Sequence, residues 1–153
     1  MSLGSEGLMK KVLTFGVFDY FHIGHLNLFK KCKEYGDYLI VGVQEDEYVM
    51  KVKPNYDIFY NTSKRLEMIN ALSIVDEAFT YDMLCEKTME MTEFDVLVVG
   101  EKHYGKRFDE ITKWCNDNGK EIVRINRTPN ISSSLIKKKI LDNISNEYGE
   151  VNE

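Results

Sequence analysis

Short apolar runs alternate with helix-period segments along most of the chain, and this alternation narrows the fold more than any other feature. Residues 12–15 are a strand-like run that stops at Gly16. Residues 38–43 are β-branched and apolar without a polar face, as a strand covered on both sides requires. Residues 75–80, 94–99 and 121–125 are further strand candidates, and 94–99, stopping at Gly100, is the clearest. Stripes at helical spacing lie between them. Leu26, Phe29, Cys32 and Tyr35 form one, closed by Gly36. Leu66, Met68, Ile69 and Leu72 form another, opened by the cap candidates Asn61, Thr62 and Ser63. Residues 82–91, with several Met and Leu, read as helical. Phe108, Ile111, Trp114 and Cys115 mark a helix ending near Gly119. Ile136, Ile140 and Ile144 mark a final one, capped by Ser132, Ser133 and Ser134. Residues 45–50 suit a short helix, and residues 51–61, with Pro54, a loop.

Strands that alternate with helices pair in parallel, joined by right-handed crossovers that cover both faces of the sheet. The expected architecture is therefore α/β: a single-domain, Rossmann-like three-layer fold with a parallel five-stranded sheet. A chain of 153 residues suits one domain with a substantial core. Residues 1–8 read as a tag or disordered leader, 9–145 as the domain, and 146–153 as a flexible acidic tail. Cys32, Cys85 and Cys115 make no C-x-x-C pattern, which fits reduced thiols in a cytoplasmic protein. No apolar run has membrane-spanning length, so no membrane partner is expected. A net charge of −5 argues against a nucleic-acid partner. The basic run Lys137, Lys138 and Lys139 reads as a solvated helix face.

Ligands of such sheets lie beyond the carboxyl ends of the strands. That directs attention to residues 16–25, 44–53, 100–106 and 126–134. The first of these holds His22-Ile23-Gly24-His25 at a strand-to-helix turn. Gly16 permits close approach of a ligand to the backbone. The free N–H groups and positive dipole of the following helix make an anion site. Two histidines three residues apart can share one side of that helix start. Such donors suit nucleotidyl transfer, where charge develops on phosphate oxygens and no protein nucleophile is required. The last strand end offers Arg127, a planar multidentate phosphate donor, then Thr128 and the serine run at a helix start. Lys51 and Lys53, on the loop after the second strand, are candidate cations that could close over a triphosphate, and the sequence does not choose between them.

Gly16-Val17-Phe18-Asp19, His22-Ile23-Gly24-His25 and Arg127-Thr128 with Ile131-Ser132-Ser133-Ser134 together resemble the cytidylyltransferase family, in its glycerol-3-phosphate branch. The similarity extends from Met9 to Ile140 and takes in residues 36–39, Asp46, Glu47, Arg65 and residues 75–77. The resemblance implies transfer of CMP from CTP to a small phosphomonoester, glycerol 3-phosphate or a similar polyol phosphate. Pyrophosphate is released, Mg²⁺ accompanies the nucleotide, the enzyme is a homodimer, and the product is a CDP-glycerol-like precursor for teichoic acid or cell wall. It assigns catalysis to His22, His25, Lys51 or Lys53, and Arg127. It assigns the nucleotide to Phe15, Gly16, Val17, Phe18, His22, Gly24, His25, Gly100, Arg127, Thr128, Ile131, Ser132 and Ser133. It assigns the acceptor to Asp19, Lys53 and Arg65, and no protein metal ligand. Four positions depart from the family pattern: Val17 for Thr, Ser73 for Arg, Lys102 for an acid, and Asn130 for Gly. The triphosphate half of the site is thus expected to be kept, and the acceptor half, with base recognition, to be altered.

Other readings share the same motifs. An adenylyltransferase of the same superfamily would act on a sugar phosphate, pantetheine phosphate or FMN. The His-Ile-Gly-His spelling also occurs in class I aminoacyl-tRNA synthetases, but the chain is too short for an anticodon domain. A nucleotide sensor without catalysis is disfavoured, because both histidines, Arg127 and the serines are all present.

Overall fold

The computed structural model describes residues 9–101, 103 and 105–149. Five parallel strands run β1 (Lys11–Gly16), β2 (Tyr38–Gln44), β3 (Glu77–Tyr81), β4 (Val96–Gly100) and β5 (Glu121–Ile125). Six helices connect and follow them: α1 (Ile23–Lys33), α2 (Asp46–Val52), α3 (Thr62–Asn70), α4 (Glu86–Met89), α5 (Lys106–Asp117) and α6 (Ser133–Tyr148). The sheet order is β3-β2-β1-β4-β5, every pairing parallel. This is the predicted α/β, Rossmann-like sheet. Strand order reverses between β1 and β4, so the crevice at their carboxyl ends is the switch point where such folds hold ligands.

Each face of the sheet carries its own apolar cluster. One packs Val12, Leu39, Val41 and Val98 under α1 and α3 through Phe29, Cys32 and Ile69. The other packs Leu13, Ile40 and Leu97 under Met89, Ile111 and Cys115. Residues 39–43 and 96–99 are buried throughout, which explains why β2 and β4 show no polar alternation.

Several local expectations need revision. Residues 82–91 form only one helical turn, Glu86–Met89, because the Thr88 hydroxyl folds back to the Met83 carbonyl and competes with longer helix. Helix α1 ends at Lys33, before Gly36. Gly36 serves close packing instead: a Cβ there would sit 2.6 Å from the Lys10 carbonyl oxygen. The last helix runs to Tyr148, across the domain boundary placed at 145, so residues 146–148 are helical rather than tail. Residues 1–8 and 150–153 lie outside the described residues, as does Lys102. Among the described residues, no helix is long and apolar enough to cross a membrane.

Candidate active site

The carboxyl ends of the strands open into a cleft of about 1010 Å³. That is room for a nucleotide with a second small substrate beside it. Its floor is the end of β1 and the turn that follows. A Cβ on Gly16 would lie 2.8 Å from the Phe18 ring, so only glycine lets the chain fold back here. Phe18 and Tyr20 adopt left-handed backbone, with φ of 57° and 51°. For non-glycine residues this costs about 1–2 kcal/mol each. Phe18 is held there by packing on His25 and Phe29. Its ring is therefore largely core, although Phe18 also borders the cleft.

His22 caps α1. Its Nδ1 accepts from the Gly24 N–H at 3.0 Å, and His25 Nδ1 accepts from the His22 N–H at 3.2 Å. A ring nitrogen that accepts a hydrogen bond carries no proton, so each neutral imidazole is protonated on Nε2. The rings stack with centroids 3.8 Å apart at 21°. Burial lowers the His22 pKa, and the Arg127 charge lowers it further. Burial, then His22, then Arg127 push His25 down to about 3. Gly24 is required between them, since a Cβ would meet the His22 ring at 2.8 Å.

His103 repeats the device from the other side of the switch point. Its Nδ1 accepts from the Gly100 N–H at 3.1 Å, and its ring stacks on Phe108 at 4.9 Å and 3°. Burial, then Arg124, Lys53 and Arg127, lower its pKa. All three histidines of the chain thus line one cleft as fixed neutral donors. A pH effect follows, with its sign set by linkage. His25 titrates near 6.5 when unfolded and about 3 when folded, so the unfolded chain binds the extra proton in that window. Stability from this group is complete above pH 6.5 and is lost as pH falls toward 3. Imidazole NMR of the free protein is expected to find His25 neutral at pH 5; a midpoint near 6.5 would contradict this geometry.

Opposite α1 stands the start of α6. Ser132 caps it, accepting from the Leu135 N–H at 3.1 Å. The Ser133 hydroxyl donates to the Asp19 carbonyl at 3.1 Å, tying this helix to the β1 turn. The first N–H groups of a helix have no partner within it and so remain for an anion. Asn130 takes the left-handed conformation, φ 62°, that its place in the loop demands. The Ile131 methyl group packs toward Gly24, and Asn27 Nδ2 donates to the Thr128 hydroxyl at 3.0 Å. Arg127 is exposed at the rim, with its N–H on Glu101 Oε1 at 3.3 Å.

The structure brings His22, Gly24, His25, Phe15, Gly16, Val17, Gly100, Arg127, Thr128, Ile131, Ser132 and Ser133 to this one cleft. It divides the remaining candidates. Lys53 lines the cleft, whereas Lys51 pairs with Glu47 at 3.5 Å on the outer face of α2 and does not border it. Arg65 does not line the cleft. It is wholly buried, and its guanidinium donates to the Val17 and Tyr60 carbonyls at 2.7 and 2.8 Å and pairs with Asp46. Asp19 does line the cleft, but its carboxylate is engaged inward, accepting from the Phe59 and Tyr60 N–H groups at 2.7 and 3.1 Å. Ser73 is exposed in the turn after α3, away from the cleft. Sequence reasoning did not single out Asn27, Tyr56, His103 or Arg107, all of which line the cleft. His103 could have been found from its place just past Gly100, a strand end already under watch. Asn27 carries no such signal.

The chain matches the cytidylyltransferase-like family over residues 13–139. It is 36% identical to a glycerol-3-phosphate cytidylyltransferase of Bacillus subtilis, over 86% of this chain and 98% of that one. It is 33% identical to an FAD synthase of Thermoplasma volcanium, over 92% of this chain and all of that protein. Among solved structures, a lipopolysaccharide core biosynthesis protein of Thermoplasma volcanium superposes with a TM-score of 0.66 at 25% identity, over 79% of this chain and 98% of the other. With the family match spanning both histidines, Arg127 and the serine run, the chain belongs to the cytidylyltransferase-like family of nucleotidyltransferases.

Proposed function

We propose that this protein transfers CMP from CTP to a small phosphomonoester, glycerol 3-phosphate or a similar polyol phosphate, releasing pyrophosphate. The observation that carries the reading is the stacked His22–His25 pair, both Nδ1 atoms engaged as acceptors, in one cleft with Arg127 and the start of α6. An oxygen of the acceptor phosphate attacks the α-phosphorus. The bond from that phosphorus to the α–β bridging oxygen breaks, and pyrophosphate leaves with the electron pair. His22 and His25 donate to oxygens on which negative charge grows, without giving up their protons. Arg127 and Lys53 contribute positive charge, and the α6 N-terminus holds the departing phosphates.

Among the described residues, no three His, Cys, Asp or Glu side chains stand together as a metal cage. Both Asp19 oxygens already accept backbone N–H groups. The proposed Mg²⁺ would be carried chiefly on the nucleotide's own phosphate oxygens. Such an ion would offset charge on the leaving pyrophosphate. The family resemblance supports a homodimer, as do Ile140, Leu141 and Ile144, exposed on α6.

The second reading, adenylyl transfer to FMN, is favoured by the Thermoplasma volcanium relative and by the apolar side chains Val52, Leu84 and Phe108 on the cleft wall. Pyrophosphate release assayed with four nucleoside triphosphates against polyol phosphates, sugar phosphates and FMN separates the two. CTP with a polyol phosphate is the expected pair; ATP with FMN would establish the alternative.

A further inference from the structure

The basic run on α6 is not uniform. Lys138 pairs with Asp142 at 2.9 Å on the helix surface, and Lys139 is exposed. Lys137 turns inward instead. Its ammonium lies 5.0 Å from the centre of the Tyr20 ring and 4.8 Å from that of Tyr56, and it donates to the Asp57 carbonyl at 3.2 Å. A solvated lysine does not meet two aromatic rings and a carbonyl together. This one fastens the loop between α2 and α3 to the final helix.

That loop also carries Lys53, whose ammonium lies 5.3 Å from the centre of the same Tyr56 ring. The Tyr56 N–H donates to the Lys53 carbonyl at 2.9 Å, closing a turn that fixes their separation. Tyr56 is half-buried and lines the cleft, while Lys53 is exposed. A lysine on an exposed loop samples many rotamers, and ordering it has an entropic cost. An aromatic face beneath the ammonium restricts that freedom without neutralising the charge, as an acidic partner would. Lys51 also lies over a ring, that of Tyr48 at 4.6 Å, but differs in pairing with the Glu47 carboxylate and in standing outside the cleft lining.

Building on the proposed role of Lys53, we propose that Tyr56 is a positioning residue that presents the Lys53 ammonium to the phosphates, and that Lys137 holds Tyr56 in place from α6. The chain of contacts runs from the anion-binding helix to the catalytic loop. The two cationic elements of the site are thereby set relative to each other before any substrate binds.

The test is a double-mutant cycle on turnover, using CTP and the phosphomonoester that the substrate assay selects. Tyr56→Leu is expected to lower kcat/KM about tenfold, and Tyr56→Phe, which keeps the ring, to lower it little. Lys137→Met should repeat the loss and Lys137→Arg restore it. In the Lys53→Ala background, Tyr56→Leu should add nothing, because the group it positions is gone. A second readout needs no acceptor. The rate at which an N-hydroxysuccinimide ester acetylates Lys53, followed by mass spectrometry, should change in Tyr56→Leu and match wild type in Tyr56→Phe. Losses that multiply between Tyr56→Leu and Lys53→Ala, with Lys53 labelling unchanged, would overturn the positioning role. Full turnover by Lys53→Ala would instead overturn the role of Lys53, a failure visible before any Tyr56 variant is made.

Discussion

Replacing His22 or His25 by alanine is expected to lower kcat about 10²–10³-fold while changing CTP affinity only a few-fold, as for the loss of one preorganised donor to a developing oxyanion. The geometry allows a sharper form of the experiment. Each histidine has two jobs, one per nitrogen. Nδ1 accepts a backbone N–H and shapes the start of α1, and Nε2–H is the donor assigned to the phosphates in the proposed reaction. Asparagine can place an oxygen where Nδ1 lies but has nothing at Nε2. Glutamine can reach the Nε2 position but abandons the cap. His22→Asn should therefore keep thermal stability and lose turnover, whereas His22→Gln should lose about 1 kcal/mol of stability and retain more activity. Alanine loses both. The two rings stack at 3.8 Å and act on the same phosphates in the proposed reaction, so their losses should not multiply, and the double variant should be little worse than either single one. Equal kcat in wild type and His22→Asn would remove the histidine from the chemistry.

The sequence carried the architecture well, because its strands are of the most legible kind. Residues 39–43 and 96–99 are buried on both faces, and no helical stripe could imitate them. The two anion-binding helix starts were equally legible, since Ser132 and His22 sit where capping chemistry requires a side-chain acceptor. What the sequence could not carry was direction. Arg65 and Asp19 are charged residues near the cleft, and charge suggested ligand contact. Both point inward, because three backbone groups, the Val17 carbonyl and the Phe59 and Tyr60 N–H groups, need partners that no strand or helix supplies. Lys51 and Lys53 are two residues apart, and only the end of α2 at Val52 decides that one stays on the outer helix face while the other enters the cleft. Lys137 was hidden by its neighbours for the same reason. A basic run gives a composition, and the helix rotates each member to a different environment.

Arg65→Met is expected to be the most destabilising single change among these polar residues, because the wholly buried guanidinium of Arg65 serves two backbone carbonyls as well as the one-third-exposed Asp46. Methionine approximates the volume of the arginine stem but donates nothing. The Val17 and Tyr60 carbonyls, in residues themselves only part-buried, lose the donor that the wholly buried Arg65 side chain supplied, at about 1–3 kcal/mol for each that water does not reach. Lysine should not rescue, because one ammonium cannot reach three separated acceptors in the plane that the guanidinium spans. Asp46→Asn should cost far less, because that carboxylate is one-third exposed and water can replace part of what it loses. Urea unfolding of the three variants orders these costs, and a wild-type midpoint for Arg65→Met would refute the assignment. The acid limb supplies an independent check. Burial alone would raise the Asp46 pKa, but Arg65 and Thr62 outweigh it and hold the carboxyl below its ordinary value. Its contribution to stability is thus complete above the unfolded pKa of about 3.9 and is lost as pH falls through the lower folded value. In Arg65→Met the largest of the groups holding that pKa down is gone, so the Asp46 part of the acid limb should flatten or reverse. A loss of the cavity-filling stem alone would leave that limb unchanged, which separates the electrostatic role of Arg65 from its packing.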